Sequence, residues 1–197
     1  MKVYIDGQEY SDLLGNADAA SILNVVRGEA SRNGRVVTEI RLDDVVMDEE
    51  AFLNVTGGLA ARFTSQPVRE LVHDSLDGAL DYIPRLTKGL EEIALHFEKN
   101  EIAVGQGKLA DAADGLDWLL LVFRNCSALL AIEEEMSESG LDELKSSLSE
   151  SVNSLGTLHA ERKYLPMALC IRQKLIPEIE NFSVHVQRLR DLGASTQ

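Results

Sequence analysis

Residues 76–97 read LDGALDYIPRLTKGLEEIALHF. Leu76, Ile83, Leu90 and Phe97 recur every seven residues, and Ala79, Leu86 and Ile93 interleave at a second heptad position. Two apolar positions per heptad put one stripe on an α-helix. The stretch therefore predicts a long amphipathic helix that buries one side against other helices. Pro84 falls inside it and is expected to kink it, because proline lacks the N–H and its ring meets the preceding turn. Upstream, Ser65 can serve as N-cap and Pro67 suits the first turn.

Towards the C-terminus the helical period continues. Gly105 and Gly107 read as the opening of a connection. Gly105-Gln106-Gly107-Lys108 looks briefly like a phosphate loop, but it lacks the P-loop spacing, the Ser or Thr after Lys and a preceding strand, so a helix–helix turn is expected. The next helix has Leu109, Leu116, Phe123 and Leu130 on one seam and Ala112, Leu119 and Cys126 on the other. Asp111, Asp114 and Asp117 are expected on or near its first turns, where negative charge complements the helix dipole. A third helix follows Ser139-Gly140 with Leu141, Leu144, Leu148, Val152, Leu155 and Leu158. Pro166 interrupts the pattern, and a fourth helix carries Ala168, Ile171, Leu175, Ile179, Phe182, Val186 and Leu189, with a bend expected at Pro177. Four helices with short joints predict an antiparallel up-down bundle over residues 65–197.

Residues 1–64 change type more often. Val3-Tyr4-Ile5 reads as a strand, Asp6-Gly7 as a hairpin turn and Gln8-Glu9-Tyr10 as the return. Ala17 to Arg32 reads as a helix capped by Asp18 or Asn16, with Ala19, Ile22, Leu23, Val26 and Ala30 along one side and Asn33-Gly34 as its stop. Val36 to Leu42 alternates as a strand, with Val36, Thr38, Ile40 and Leu42 expected on one face. Asp43-Asp44 turns the chain into Val45-Val46-Met47; a short helix at Glu49 to Leu53 and a strand at Leu59 to Thr64 follow. This order resembles the ubiquitin-like β-grasp arrangement. The expected class is α+β: a small β-grasp-like module at 1–64 followed by a bundle of about four helices.

The 197 residues hold 19 Lys+Arg against 33 Asp+Glu, a net charge of −14. A phosphate-binding surface needs a basic footprint, so nucleic acid is not an expected partner, and neither is an anionic membrane. The charge is uneven: residues 65–150 carry 7 Lys+Arg and 18 Asp+Glu, residues 151–197 carry 6 and 4. The acidic middle and mildly basic tail either attract each other within the fold or remain solvated helix faces. Cys126 and Cys170 are the only cysteines and read as buried thiols without a partner. No signal-like or spanning apolar run stands out, which leads us to expect a cytoplasmic protein.

Signatures of catalysis do not emerge. There is no H-E-x-x-H, EF-hand loop, G-x-S-x-G elbow or dinucleotide fingerprint. His73, His96, His159 and His185 lie on separate stretches; Glu92 precedes His96 by four residues and could share its helix side, whereas Glu161, two residues after His159, falls on a different side. We expect no catalytic, cofactor-binding or metal-ligating residues and no cofactor. Glu133-Glu134-Glu135 at the end of the second helix reads as a frayed acidic end. That helix also carries apolar residues beyond its seam: Trp118, Val122, Leu129 and Ile132 form a second stripe, and Leu121 adds a third direction. Such a helix either sits at the bundle centre against the N-terminal module or exposes an aromatic-centred patch. Trp118, Leu121, Val122 and Leu129 are the candidate protein-binding residues.

The stretch from Tyr164-Leu165-Pro166-Met167-Ala168-Leu169 through Leu175-Ile176-Pro177-Glu178-Ile179 is similar to helical regions of uncharacterised bacterial proteins associated with motility. The bundle distantly resembles flagellar export chaperones, which hold a secreted subunit on a helical surface. Neither resemblance brings an active-site motif. Together they imply a non-enzymatic, adaptor- or chaperone-like protein that binds a protein partner or a second copy of itself. The competing expectations are an enzyme or small-ligand binder with a site between module and bundle, and a structural homo-oligomer.

Overall fold

The computed structural model describes residues 1–10, 17–131 and 140–195. Asn16, Ile132, the Glu133–Glu135 run and Ser139 lie outside these. The protein is α+β, and it divides into two compact units, Met1–Leu71 and Val72–Gln197.

In the first unit β1 (Lys2–Ile5) and β2 (Gln8–Glu9) form a hairpin, α1 (Ala19–Arg32) follows, then β3 (Arg35–Leu42), β4 (Val45–Met47), α2 (Glu49–Leu53) and β5 (Ala60–Pro67). The sheet order is β2-β1-β5-β3-β4, with β1 and β5 parallel and the other neighbours antiparallel. This is the β-grasp-like arrangement expected from the element order. Both hairpin turns use two left-handed residues, Asp6 and Gly7 (φ 49° and 84°) and Asp43 and Asp44 (φ 48° and 69°). Such turns match the twist of the flanking strands. Asp18 caps α1 by accepting from the Ser21 amide at 2.7 Å. Ile22, Leu23 and Val26 of α1 pack on Val3, Ile5, Ile40 and Phe63 of the sheet. Phe52 of α2 meets Phe63 edge-on at 5.3 Å.

The structure departs from the expected strand faces and helix cap in two places. A bulge lies between Val37 and Glu39: Val37 pairs with Ser65 and Glu39 with Thr64, so Thr38 has no partner in the ladder. The extra residue swaps the faces, and Val37, not Val36, joins Ile40 and Leu42 against the core. Ser65 is not a helix cap. It belongs to β5, which runs on to Pro67, and its amide and hydroxyl donate to the two Asp6 carboxylate oxygens at 2.7 and 2.6 Å.

The second unit holds α3 (Val68–Glu98), α4 (Ile102–Leu130), α5 (Asp142–Ala160), and a fourth rod made of α6 (Tyr164–Cys170), a π-helical turn (Ile171–Leu175) and α7 (Ile176–Ser195). Every residue named above on the first and fourth stripes is buried. Paired residues give the directions. Phe97 lies by Gly105, Lys108 by Glu92 and Tyr82 by Gly115, so α3 and α4 run antiparallel. Phe97 stacks on Tyr164 while Arg190 reaches Asp77 at 2.6 Å, so α3 and the fourth rod are antiparallel too. Gln106 of α4 meets His159 of α5.

The basic tail does meet acidic residues of α3. Arg172 pairs with Glu91 at 2.8 Å and also with Glu98. α3 runs through Pro84 as one helix. At Pro177 the sequence's missing donor falls just after the π turn, where the Ile176 amide bonds the Ile171 carbonyl, five residues back.

The expected turn at Gly105 and Gly107 is absent, because α4 already begins at Ile102. Gly105 is buried there: a Cβ on it would meet the Phe97 ring at 2.6 Å. The glycine serves close helix approach rather than a bend. With α4 starting this early, Asp111, Asp114 and Asp117 lie beyond its first turn, which carries no acidic residue.

Candidate functional site

The surface of α4 holds the candidate residues. Its core side presents Leu116, Leu119, Phe123 and Cys126 to the bundle, all buried. On the side turned from this seam, Trp118 is 43%, Leu121 45% and Leu129 40% exposed; Val122 is half-buried. The structure thus brings Trp118, Val122 and Leu129 onto one stripe at helical spacing. Val104, 49% exposed, shares their heptad line near the helix start, with the exposed Asp111 between it and Trp118. Sequence reasoning missed Val104 because it lies in the stretch read as a turn.

Trp118 is held rather than loose. Its ring meets Tyr82 of α3 edge-on at 5.3 Å, and Arg85 lies over the Tyr82 ring at 5.4 Å. Gly115 makes room for this pair, since a Cβ there would fall 1.9 Å from the Tyr82 hydroxyl. A fixed aromatic with an open edge is the kind of anchor that dominates protein interfaces. Asp111, Asp114 and Asp117 are exposed on the same helix.

Leu121 diverges from the stripe. It lines a hollow of about 550 Å³ with Leu120, Phe123, Leu141 and Phe182, rimmed by Arg124 and Lys145. A second hollow, of about 470 Å³, lies farther along α4 and α5 and shares Asp117 with the first. Neither was visible in the sequence, where Leu109, Leu116 and Leu155 read simply as seam positions.

Several titratable groups have local partners. Glu92 accepts from Lys108 at 2.7 Å, and this bond holds its carboxyl below the usual range. His96 Nδ1 lies 2.5 Å from the Glu101 carboxylate. His185 is buried, which pushes its pKa down, and Arg188 adds to the effect. Cys126 is buried as expected, whereas Cys170 is only half-buried; desolvation raises both thiols. Glu178 accepts from Ser147 at 2.5 Å and Ser151 at 3.0 Å, tying α7 to α5. Among the described residues, no group of three or more His, Cys, Asp or Glu is arranged to hold a metal ion, and no helix is long and apolar enough to cross a membrane.

A β-grasp-like sheet unit and a helical unit with an aromatic-centred stripe define the class of protein. Residues 74–185, within the helical unit, match the family described as a domain of unknown function (DUF8042), and the chain belongs to that family. No curated protein and no solved structure matches the chain.

Proposed function

We propose that this is a non-enzymatic, adaptor- or chaperone-like protein that binds a partner protein through its helical unit. The observation that carries the reading is the stripe on α4, where Trp118 is fixed against Tyr82 yet 43% exposed beside other open apolar side chains. Large apolar side chains grouped on a surface mark interaction sites. The stripe is one helix wide, which suits an amphipathic partner helix laid along it. Asp111, one heptad before Trp118, and Asp114 stand exposed ahead of it, so the partner helix carries basic residues beside its apolar face. A second copy of the chain fits less well, because each copy brings a net charge of −14.

Trp118 is the sole tryptophan, so its emission reports on the stripe directly. Titration with a model helix of leucine and lysine at amphipathic spacing should shift that emission to the blue and saturate. Leu129→Asp should weaken the complex about tenfold or more, corresponding to ~1.4 kcal/mol, with the helical circular dichroism unchanged. Trp118→Ala, followed by calorimetry, should do the same. An emission unmoved by the peptide, or loss of helicity in Trp118→Ala, removes the basis for the reading.

A further inference from the structure

The bundle is hollow between α4 and α5. The cavity there, about 470 Å³, falls in the size range of small-molecule sites, ~300–1,000 Å³. Its floor is core: Leu86 and Leu90 of α3, Leu175 of the π turn and Ile179 of α7, each at most 4% exposed. Leu109 and Leu116 form one wall, Val152 and Leu155 the other. Polar groups stand only towards the ends. At one end Gln106 Nε2 lies 2.9 Å from His159 Nε2; Asp117 lies on the other side. Along α4, Gln106 and Asp117 are about 16 Å apart at 1.5 Å per residue.

A trench that is apolar along its length and carries donors at one end suits an unbranched amphipathic molecule. With its amide nitrogen donating, Gln106 holds the imidazole in the Nδ1–H form. An anion inserted between them takes the amide N–H groups and, on a protonated ring, the Nε2–H. His159 stands in the last turn of α5. Glu161, Arg162 and Lys163 follow within four residues, with Lys163 paired to Glu161 at 2.8 Å. Asp117 repels an anionic head from the opposite end and so sets the direction. We infer that this hollow binds a linear alkyl monocarboxylate, with the tail along Leu86, Leu116, Leu155 and Ile179 and the carboxylate between Gln106 and His159.

Calorimetric titration of the full chain with sodium dodecanoate, below micelle formation, tests this, with dodecan-1-ol as the neutral-head control. Saturable one-to-one binding of dodecanoate is expected. Gly156 lines the hollow, and no atom lies within 4 Å of a Cβ built on it. Gly156→Leu should therefore keep the helical signal and weaken binding at least tenfold; Ala113→Leu is the second filling variant, should the first lose helicity. His159→Ala should weaken dodecanoate about tenfold and leave dodecan-1-ol unchanged. Trp118→Ala should bind dodecanoate like the parent, which separates this site from the protein-binding stripe. Absence of saturable binding to the parent, or filling variants that bind as well as it does, overturns the site. Equal loss of acid and alcohol in His159→Ala overturns the placement of the head group.

Discussion

A glycine inside a helix costs roughly 1 kcal/mol relative to alanine, so each helical glycine of the bundle needs a reason. Gly105 and Gly115 have one: the Phe97 ring and the Tyr82 hydroxyl occupy the space a Cβ would take. Gly78 has none, for it is exposed in the middle of α3 with nothing within 4 Å of an added Cβ. Opposite outcomes follow from one chemical change. Gly78→Ala should raise the stability of the helical unit by about 0.5–1 kcal/mol through helix propensity. Gly105→Ala should lower it by about 1–3 kcal/mol, because the Phe97 ring must move in a packed core. Urea titrations followed at 222 nm measure both. A stabilised Gly105→Ala would show that Phe97 gives way freely.

At the scale of elements, what could be read in advance depended on length. The stripes Leu76–Phe97 and Ala168–Leu189 extend over many turns, so their period is unambiguous and their buried residues follow. The order of strands and helices in the first unit was legible from turn chemistry, Asp6-Gly7 and Asp43-Asp44 above all. The bulge at Thr38 was not: alternation over Val36 to Leu42 looks regular, and only pairing with β5 reveals the extra residue. Likewise the start of α4 depends on Gly105 fitting beneath Phe97, a contact between two helices that spacing along one cannot show. The α4 stripe at Trp118 was legible as an excess of apolar residues, whereas the hollow beside it exists only because α4 and α5 stand apart. The bulge supplies its own test. Val37→Asp should destabilise the sheet unit by about 2–3 kcal/mol, since it places a charge against the core, while Val36→Asp should cost less than about 1 kcal/mol. Denaturation monitored by amide exchange in β3 distinguishes them, and the reverse ranking would restore the unbulged register.

For the whole molecule, the family match at 74–185 encloses the Trp118 stripe and the residues proposed to hold the alkyl chain, so both proposals rest on the part that defines the family. Charge is the property shared by both units, and it makes acid the informative perturbation. Several carboxylates are held below their ordinary values. Burial alone would raise Asp6, but the Ser65 hydroxyl and amide and the Arg35 charge outweigh it. The Ser21 amide lowers Asp18, the Ala60 and Leu59 amides lower Asp43, and the Arg41 bond lowers Glu39. A carboxyl depressed in the folded state stabilises fully above its unfolded value and loses that contribution as pH falls through the folded one. The unfolded values are 3.8 for Asp and 4.5 for Glu. Between pH 7 and the isoelectric point near 4.7 these bonds stay intact while net negative charge, and with it self-repulsion, declines. His185 opposes this below about pH 6.5, because burial pushes its pKa down and the unfolded chain takes up that proton first. Melting temperature should therefore stay nearly level from pH 7 to about pH 5 and fall steeply below about pH 4. Asp6→Asn keeps a residue type that tolerates the left-handed turn and lacks the titrating group, so it should lower stability at pH 7 and flatten the acid limb. Thermal melts across this range decide the matter: a steady fall beginning at pH 7 would mean that groups other than these carboxylates govern the acid response.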